Sequence, residues 1–336
     1  SNGRDARQTV VVPNLYYAHR VNDHWNVGLG VNAPFGLATE YNSDWYGRYQ
    51  AIRSELKTVN INPAVAYKAT EQLSIGAGVS FQYADAELSN AIDFRALGAP
   101  DGFTTLKGDD WGYGFNLGLL YEPDQATRFG LAYRSKINYT LSGDVTFENI
   151  PAPLFPLFTD TGAKADLATP ETVSISGFRQ IDSKWAVMGD ATWTRWDRFQ
   201  ELRVVLDKPV VLDPATGSPT NVSVTPEHWE NTWRYALGLN YQYNTQWKLR
   251  AGVAYDETPI PSAEFRTPRI PGNNRKWIAL GAGYQSSDNL RFDLGYAHLF
   301  VSDTPINNTD GAGHNLNGTY QSDVNIVSAQ VQWAFN

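Results

Sequence analysis

Residues 126–139 read Ala-Thr-Arg-Phe-Gly-Leu-Ala-Tyr-Arg-Ser-Lys-Ile-Asn-Tyr, and their order decides the fold. Phe129, Leu131, Tyr133, Ile137 and Tyr139 fall on one parity, and Arg128, Gly130, Ala132, Arg134, Lys136 and Asn138 on the other. A period of two is the signature of a strand with one apolar and one polar face. The same alternation returns along Leu73–Tyr83, Trp233–Tyr243 and Trp247–Tyr255, with Gly, Ser, Asn, Gln and Arg on the polar parity.

A soluble antiparallel sandwich would also alternate. These strands, however, run for roughly 10 to 16 residues, where soluble ones peak near five or six. Their apolar parity carries aromatics from end to end, and no further segment is left to cover it. A closed transmembrane barrel solves this by turning the apolar parity to lipid and the polar one to the lumen. A cation on the lipid face near midplane costs ~2–4 kcal/mol, so Arg128, Arg134 and Lys136 are expected to point inward. Composition narrows the alternatives. The chain has 336 residues, a formal charge of −8, and no Cys. That removes disulfides, thiolate chemistry and Cys-held metals. It also leaves no basic footprint for nucleic acid. No apolar run approaches the ~20 residues of a membrane helix.

The expected strands lie near 9–21, 25–36, 55–69, 72–87, 109–122, 126–142, 166–181, 184–206, 229–243, 245–257, 275–286, 289–302 and 323–335. Short turns, such as Asn22-Asp23-His24 and Asp182-Ser183, alternate with long stretches at 37–54, 88–108, 143–165, 207–228, 258–274 and 303–322. Outer-membrane barrels are built this way, with the short side periplasmic. The whole of 1–336 thus reads as a single barrel domain. Its thirteen strands are odd in number, whereas bacterial single-chain barrels have an even count. At least one strand is therefore expected to precede Ser1. Trp25, Trp185 and Trp247 follow short turns, and Tyr67, Tyr121, Tyr243 and Tyr284 precede them, where amphipathic rings mark a membrane interface. Glycines such as Gly76, Gly112, Gly114, Gly118 and Gly130 fall on the inward parity. They imply either strand curvature or room for a plug.

The sequence carries little for catalysis. Five His, at 19, 24, 228, 298 and 314, form no pair with zinc spacing, and no Gly-x-Ser-x-Gly elbow occurs. No enzyme activity, cofactor or metal is expected. An outer-membrane hydrolase and a non-selective porin stand as alternatives. A porin would predict a polar constriction and no apolar outer segments.

Several stretches resemble the FadL-type outer-membrane transporters of long-chain fatty acids and other hydrophobic compounds. They include Asn32-Ala-Pro-Phe-Gly-Leu-Ala-Thr-Glu-Tyr41, Glu55–Tyr67, Gly108–Asn116, Leu131-Ala-Tyr-Arg-Ser135, Pro170–Gly177, Asp256–Pro261 and Ile270–Trp277. The resemblance implies a fourteen-stranded barrel in the bacterial outer membrane, plugged by an N-terminal hatch. Hatch and first strand would both lie outside this chain. It implies surrounding lipids and a hydrophobic small-molecule ligand as partners, and the barrel assembly machinery engaging the C-terminal strand. It places ligand capture in a groove between the stretches 37–54 and 88–108. Leu37, Tyr41, Trp45, Tyr49, Phe94, Leu97 and Phe103 are the apolar candidates there. Packing of these stretches on each other alone is the plainer reading. Arg250 and Arg275 are the lumenal candidates for a ligand carboxylate, or else partners of lumenal acids. The family's basic ligand residue near the start of the second stretch aligns close to Asn90, which carries no charge. Release is implied sideways, at a kink in the barrel wall. Asn32, Ala33, Pro34, Phe35 and Gly36 fit it, because proline has no N–H for the ladder. A bulge at the outer rim would explain the same residues.

Overall fold

The computed structural model describes residues 6, 8–212 and 218–335. Among the described residues thirteen strands form the wall: β1 (Leu15–Arg20), β2 (Trp25–Asn32), β3 (Arg53–Lys68), β4 (Leu73–Ile92), β5 (Gly102–Asp124), β6 (Thr127–Arg134), β7 (Thr172–Gln180), β8 (Trp185–Thr194), β9 (Thr232–Gln242), β10 (Trp247–Asp256), β11 (Arg275–Ser287), β12 (Leu290–Val301) and β13 (Asp323–Trp333). Each pairs antiparallel with the next in the chain. This is the up-and-down barrel that the alternation predicted.

Three of the periplasmic turns share one device. Asn22 Oδ1 accepts the backbone N–H of Trp25 at 2.9 Å, Asp182 Oδ1 that of Trp185 at 2.8 Å, and Asn244 Oδ1 that of Trp247 at 2.8 Å. Asn and Asp close such turns by bonding their own backbone. Each cap fixes a Trp three residues on, and each Trp packs on a cross-strand Tyr. The pairs are Trp25–Tyr67, Trp185–Tyr241 and Trp247–Tyr284, with ring centres 4.7, 4.4 and 4.9 Å apart. These rings form the inner interface belt.

Above the membrane the strands depart from expectation. The strand expected over 126–142 breaks at Ser135-Lys136. Arg134 lies opposite Asn116, yet Ser142 lies opposite Asp109, so one extra residue is inserted. A one-residue slip sends every later side chain to the other face. Phe129 and Leu131 are 52% and 46% exposed, toward lipid, while Ile137 and Tyr139 are 3% and 2% exposed and face inward. Lys136, expected in the lumen, is exposed. Ser135 stabilises the break: its N–H bonds the Phe115 carbonyl, and its Oγ accepts the Phe115 N–H, both at 2.9 Å.

The same inversion occurs at the kink. Asn32 faces Asn60 but Gly36 faces Lys57, so Ala33, Pro34 and Phe35 stand against two residues. The strand Gly36–Glu40 then turns Leu37 inward. Strand 166–181 divides at Pro170-Glu171 into Thr161–Thr169 and β7, and 184–206 divides around a single turn at Trp196–Arg198. The physical cause is the change of solvent. In the bilayer an apolar side chain belongs outside, whereas above it the outside is water. Strands β3, β4 and β5 make the change without a slip, by placing Lys57, Glu55, Glu87 and Lys107 on the outer parity and Leu56, Leu88 and Leu106 on the inner one.

Much of what reads as loop is therefore strand. β4 runs to Ile92 and β5 begins at Gly102, so only 93–101 connects them, and Phe103 is a strand residue rather than a loop one. Leu37 is likewise on a strand. Ile137–Glu148, Thr161–Thr169, Glu201–Leu206 and Val222–Pro226 continue the wall outward, and Thr304–Thr309 with Asn315–Tyr320 make a hairpin on top.

Candidate functional site: an apolar passage above the membrane

The inverted parity builds an interior unlike the lumen below it. Its core gathers Val145, Ala163, Ala165, Val204, Leu206 and Val210. Beside this core lies a narrow cavity of about 110 Å³ lined by Leu37, Leu56, Leu88, Leu106, Leu167 and Phe199 among others. Such a lining favours an apolar occupant, since apolar surface is stabilised by ~25 cal/mol per Å² removed from water.

Its lining includes two ionisable groups that act on each other, Arg269 and Glu227. Arg269 stands on the connection between β10 and β11. It is half-buried and lines the cavity. Its guanidinium donates to Ser54 Oγ at 3.1 Å, Asn90 Oδ1 at 3.3 Å and the Arg53 carbonyl at 3.4 Å, all neutral acceptors. Among the described residues it forms no ion pair. Burial lowers its proton affinity, with Glu227 opposing this, but an arginine stays charged at neutral pH. Glu227 is 3% exposed and accepts the Trp229 indole N–H at 3.1 Å. Burial pushes its carboxyl up to about 7, against the smaller opposing effects of Trp229 and Arg269.

The kink meets this cavity through aromatic rings. The Phe35 N–H donates to Thr58 Oγ1 at 3.0 Å, and that hydroxyl donates to the Phe35 carbonyl at 2.7 Å, which holds the bulge in place. The Phe35 ring meets Trp196 edge-on at 6.1 Å, Trp196 meets Trp229 at 5.0 Å, and Trp229 meets Phe199 at 4.9 Å. Phe199 lines the cavity. A run of rings thus joins the wall break to the apolar interior.

The other sequence candidates take different places. Tyr41 and Trp45 stack at 4.1 Å within a buried cluster with Ile306 and Leu316, and Tyr41 Oη donates to the Pro268 carbonyl at 2.8 Å. Tyr49 stacks on His314 at 4.4 Å and donates to Asp101 at 3.0 Å. Phe94 is buried against Phe158 at 5.6 Å, while Leu97 is 62% exposed at the outer surface, as is Phe155 at 57%. Arg250 lies 2.8 Å from Asp293 and Arg275 lies 3.5 Å from Asp256, so each already faces a carboxylate. Among the described residues Arg269 has no carboxylate in direct contact, and sequence reasoning passed over it. The available signal was its setting, Pro268-Arg269-Ile270-Pro271, an arginine in an apolar run with no adjacent acid.

Below lies the lumen. A space of about 540 Å³ is lined on its inner parity by Asn26, Gly28, Asn62, Ala64, Gly76, Gly118 and Arg134. Higher up, the room left by Gly112 and Gly114 is occupied by Ile137 and Tyr139 of the chain's own wall. Those two glycines therefore serve the inward turn of that strand.

Comparison with known proteins agrees with this architecture. Residues 1–335 match the family described as outer membrane protein transport protein (OMPP1/FadL/TodX). A putative outer membrane protein of Neisseria meningitidis serogroup B, NMB0088, is 29% identical over 98% of this chain and 78% of its own length. The long-chain fatty acid transport protein of Escherichia coli O6:H1 is 28% identical over 93% of this chain and 74% of its own. The crystal structure of a Pseudomonas aeruginosa FadL homologue superposes with a TM-score of 0.87 at 27% identity, covering 97% of this chain and 78% of that one.

Proposed function

Because this chain belongs to the outer membrane protein transport family (OMPP1/FadL/TodX), we propose that it carries long-chain fatty acids or other small hydrophobic molecules inward across the outer membrane. The observation that carries this reading is the apolar cavity above the bilayer, joined by rings to a break in the barrel wall. Ligand is captured from outside at the apolar surface around Leu97 and Phe155, above Phe94 and Phe103. It passes to the cavity beside Leu37 and leaves through Asn32–Gly36 into the membrane. Tyr41, Trp45 and Tyr49 act on capture by holding the outer connections together. Passage sideways spares an apolar chain the polar lumen below, where each methylene exposed to water costs about 0.8 kcal/mol.

The kink supports an exit because proline supplies no ladder donor, and its hydrogen bonds run to Thr58 on the β3 side. On its other flank stands β1, whose Leu15 lies opposite Val31. A reducible cysteine pair, one at Ala33 and one on the residues just before Leu15, tests the route. The oxidised protein is expected to bind fatty acid but not deliver it to the membrane, and reduction restores delivery. Undiminished delivery in the oxidised form rules the exit out.

A further inference from the structure

We propose that the Arg269–Glu227 end of the cavity is a proton-coupled carboxylate site: Arg269 takes the carboxylate of an amphiphilic acid, and Glu227 takes up a proton from solvent as it does so. This rests on the transport reading above and names the ligand chemistry of the same cavity. A guanidinium beside an apolar cavity, bonded only to neutral oxygens at 3.1–3.5 Å, has no carboxylate in hydrogen-bond contact, and Glu227 acts on it only through space. A carboxylate offers it the bidentate partner that these acceptors do not. Glu227 shares the cavity, and among the described residues its carboxylate has one hydrogen-bond donor, Trp229. A second carboxylate arriving in that space disfavours the ionised form of Glu227, because like charges in one poorly hydrated site do not both stay ionised.

Most other charged groups nearby are already matched, and Arg266, three residues before Arg269, is buried and donates to the Gly272 and Pro305 carbonyls. Glu55 is held by Lys57 at 2.6 Å and Arg53 at 2.7 Å, and Lys107 lies 3.5 Å from Glu87. On the turn packed beside Glu227, Arg198 and Arg195 are held by Glu171 at 2.7 and 3.2 Å, and Asp197 by Arg195 at 3.1 Å. His228 is packed edge-on against Phe265 at 4.6 Å. Lys164, the remaining charged residue of the lining, is exposed at its outer margin. The proton balance is simple: where Glu227 starts ionised it gains one proton from solvent, the ligand stays anionic, and the net charge at that site is unchanged by binding.

The test is calorimetric titration of the full chain in lipid nanodiscs with dodecanoate and with dodecanol, just above neutral pH, in buffers of different ionisation enthalpy. Dodecanoate binding is expected to take up roughly half a proton or more, and dodecanol none. Glu227→Gln removes the uptake, leaving only the ligand's own proton exchange. Arg269→Met weakens dodecanoate by about tenfold or more with dodecanol unchanged, and Arg269→Lys recovers part of the loss. Equal loss of acid and alcohol in Arg269→Met, or uptake that persists in Glu227→Gln, overturns this inference alone. Wild-type protein that binds neither ligand overturns the transport reading with it. Should Arg269→Met fail to fold, the proton count in Glu227→Gln still decides.

Discussion

Below the kinks, the wall shows lipid Phe129, Leu131 and Ile175 and lines its lumen with Gly, Ala, Asn and Ser. Above them the same wall buries Ile137, Tyr139 and Leu141 and shows water Lys107, Glu87 and Lys164. The backbone is a continuous meander through both regions, and only the parity differs. The contrast teaches that alternation records what lies outside a strand. Where the outside changes from lipid to water, a strand either inserts one residue or exchanges the chemistry of its two faces. The inward turn that results makes the cavity, so membrane topology and ligand site come from one device.

Deleting Ser135 attacks this comparison most strongly. It removes the slip and directs Ile137, Tyr139 and Leu141 toward water, exchanging three buried side chains worth about 1.5–3 kcal/mol each. The variant is expected to fail to assemble a heat-resistant barrel, measured by its mobility on unheated gels. Wild-type assembly in the deletion would break the account of the inversion.

A smaller effect separates two glycines of β5 that share the inward parity. A Cβ at Gly112 meets Ile137, Tyr139 and the Asn138 carbonyl, whereas Gly118 has nothing within 4 Å. Gly112→Val is expected to cost ~1–3 kcal/mol by overpacking, and Gly118→Val close to nothing, in urea unfolding from bilayers. Equal costs would mean that the upper interior is not packed as described.

Capture divides the regions again. Trp45→Ala and Phe94→Ala, both in the outer part, should each weaken hydrophobic-ligand binding by ~1–3 kcal/mol, the scale of a buried aromatic. Leu131→Ala, on the lipid face, should leave it unchanged. Fluorescent fatty-acid binding at two salt concentrations reads both effects, and apolar capture depends weakly on ionic strength.

These contrasts also show what could be read from the sequence. All thirteen wall strands were legible, because lipid on one side and polar lumen on the other enforce alternation over long stretches. The slips were not. Ile137 and Tyr139 keep the numerical parity of Tyr133, so a one-residue insertion leaves no trace in the pattern. The outer extensions of β4 and β5 read as loops because charge on their outer face mimics a solvated connection. Kink residues Ala33–Phe35 were found from Pro34, and the structure adds the ring of Phe35 against Trp196. Arg269 was missed because its meaning lies in partners from distant strands, Ser54 and Asn90.

A last contrast concerns Glu227. Its carboxyl titrates near 7 when folded and near 4.5 unfolded. The folded form therefore holds the extra proton between those values. Its stabilising contribution is complete below about 4.5 and declines as pH rises to about 7. Glu227→Gln should flatten that part of the stability profile and leave the remainder, measured by unfolding across this pH range. An unaltered slope in the variant would assign the pH dependence elsewhere.

The most direct measurement of the central claim, that an apolar molecule rests above the membrane and leaves through the wall, is a structure of the protein with a brominated fatty acid bound. The account predicts bromine and chain density among Leu56, Leu106 and Phe199, pointing toward Phe35 at the kink. Density confined to the lumen around Asn62, Gly76 and Gly118 would contradict it.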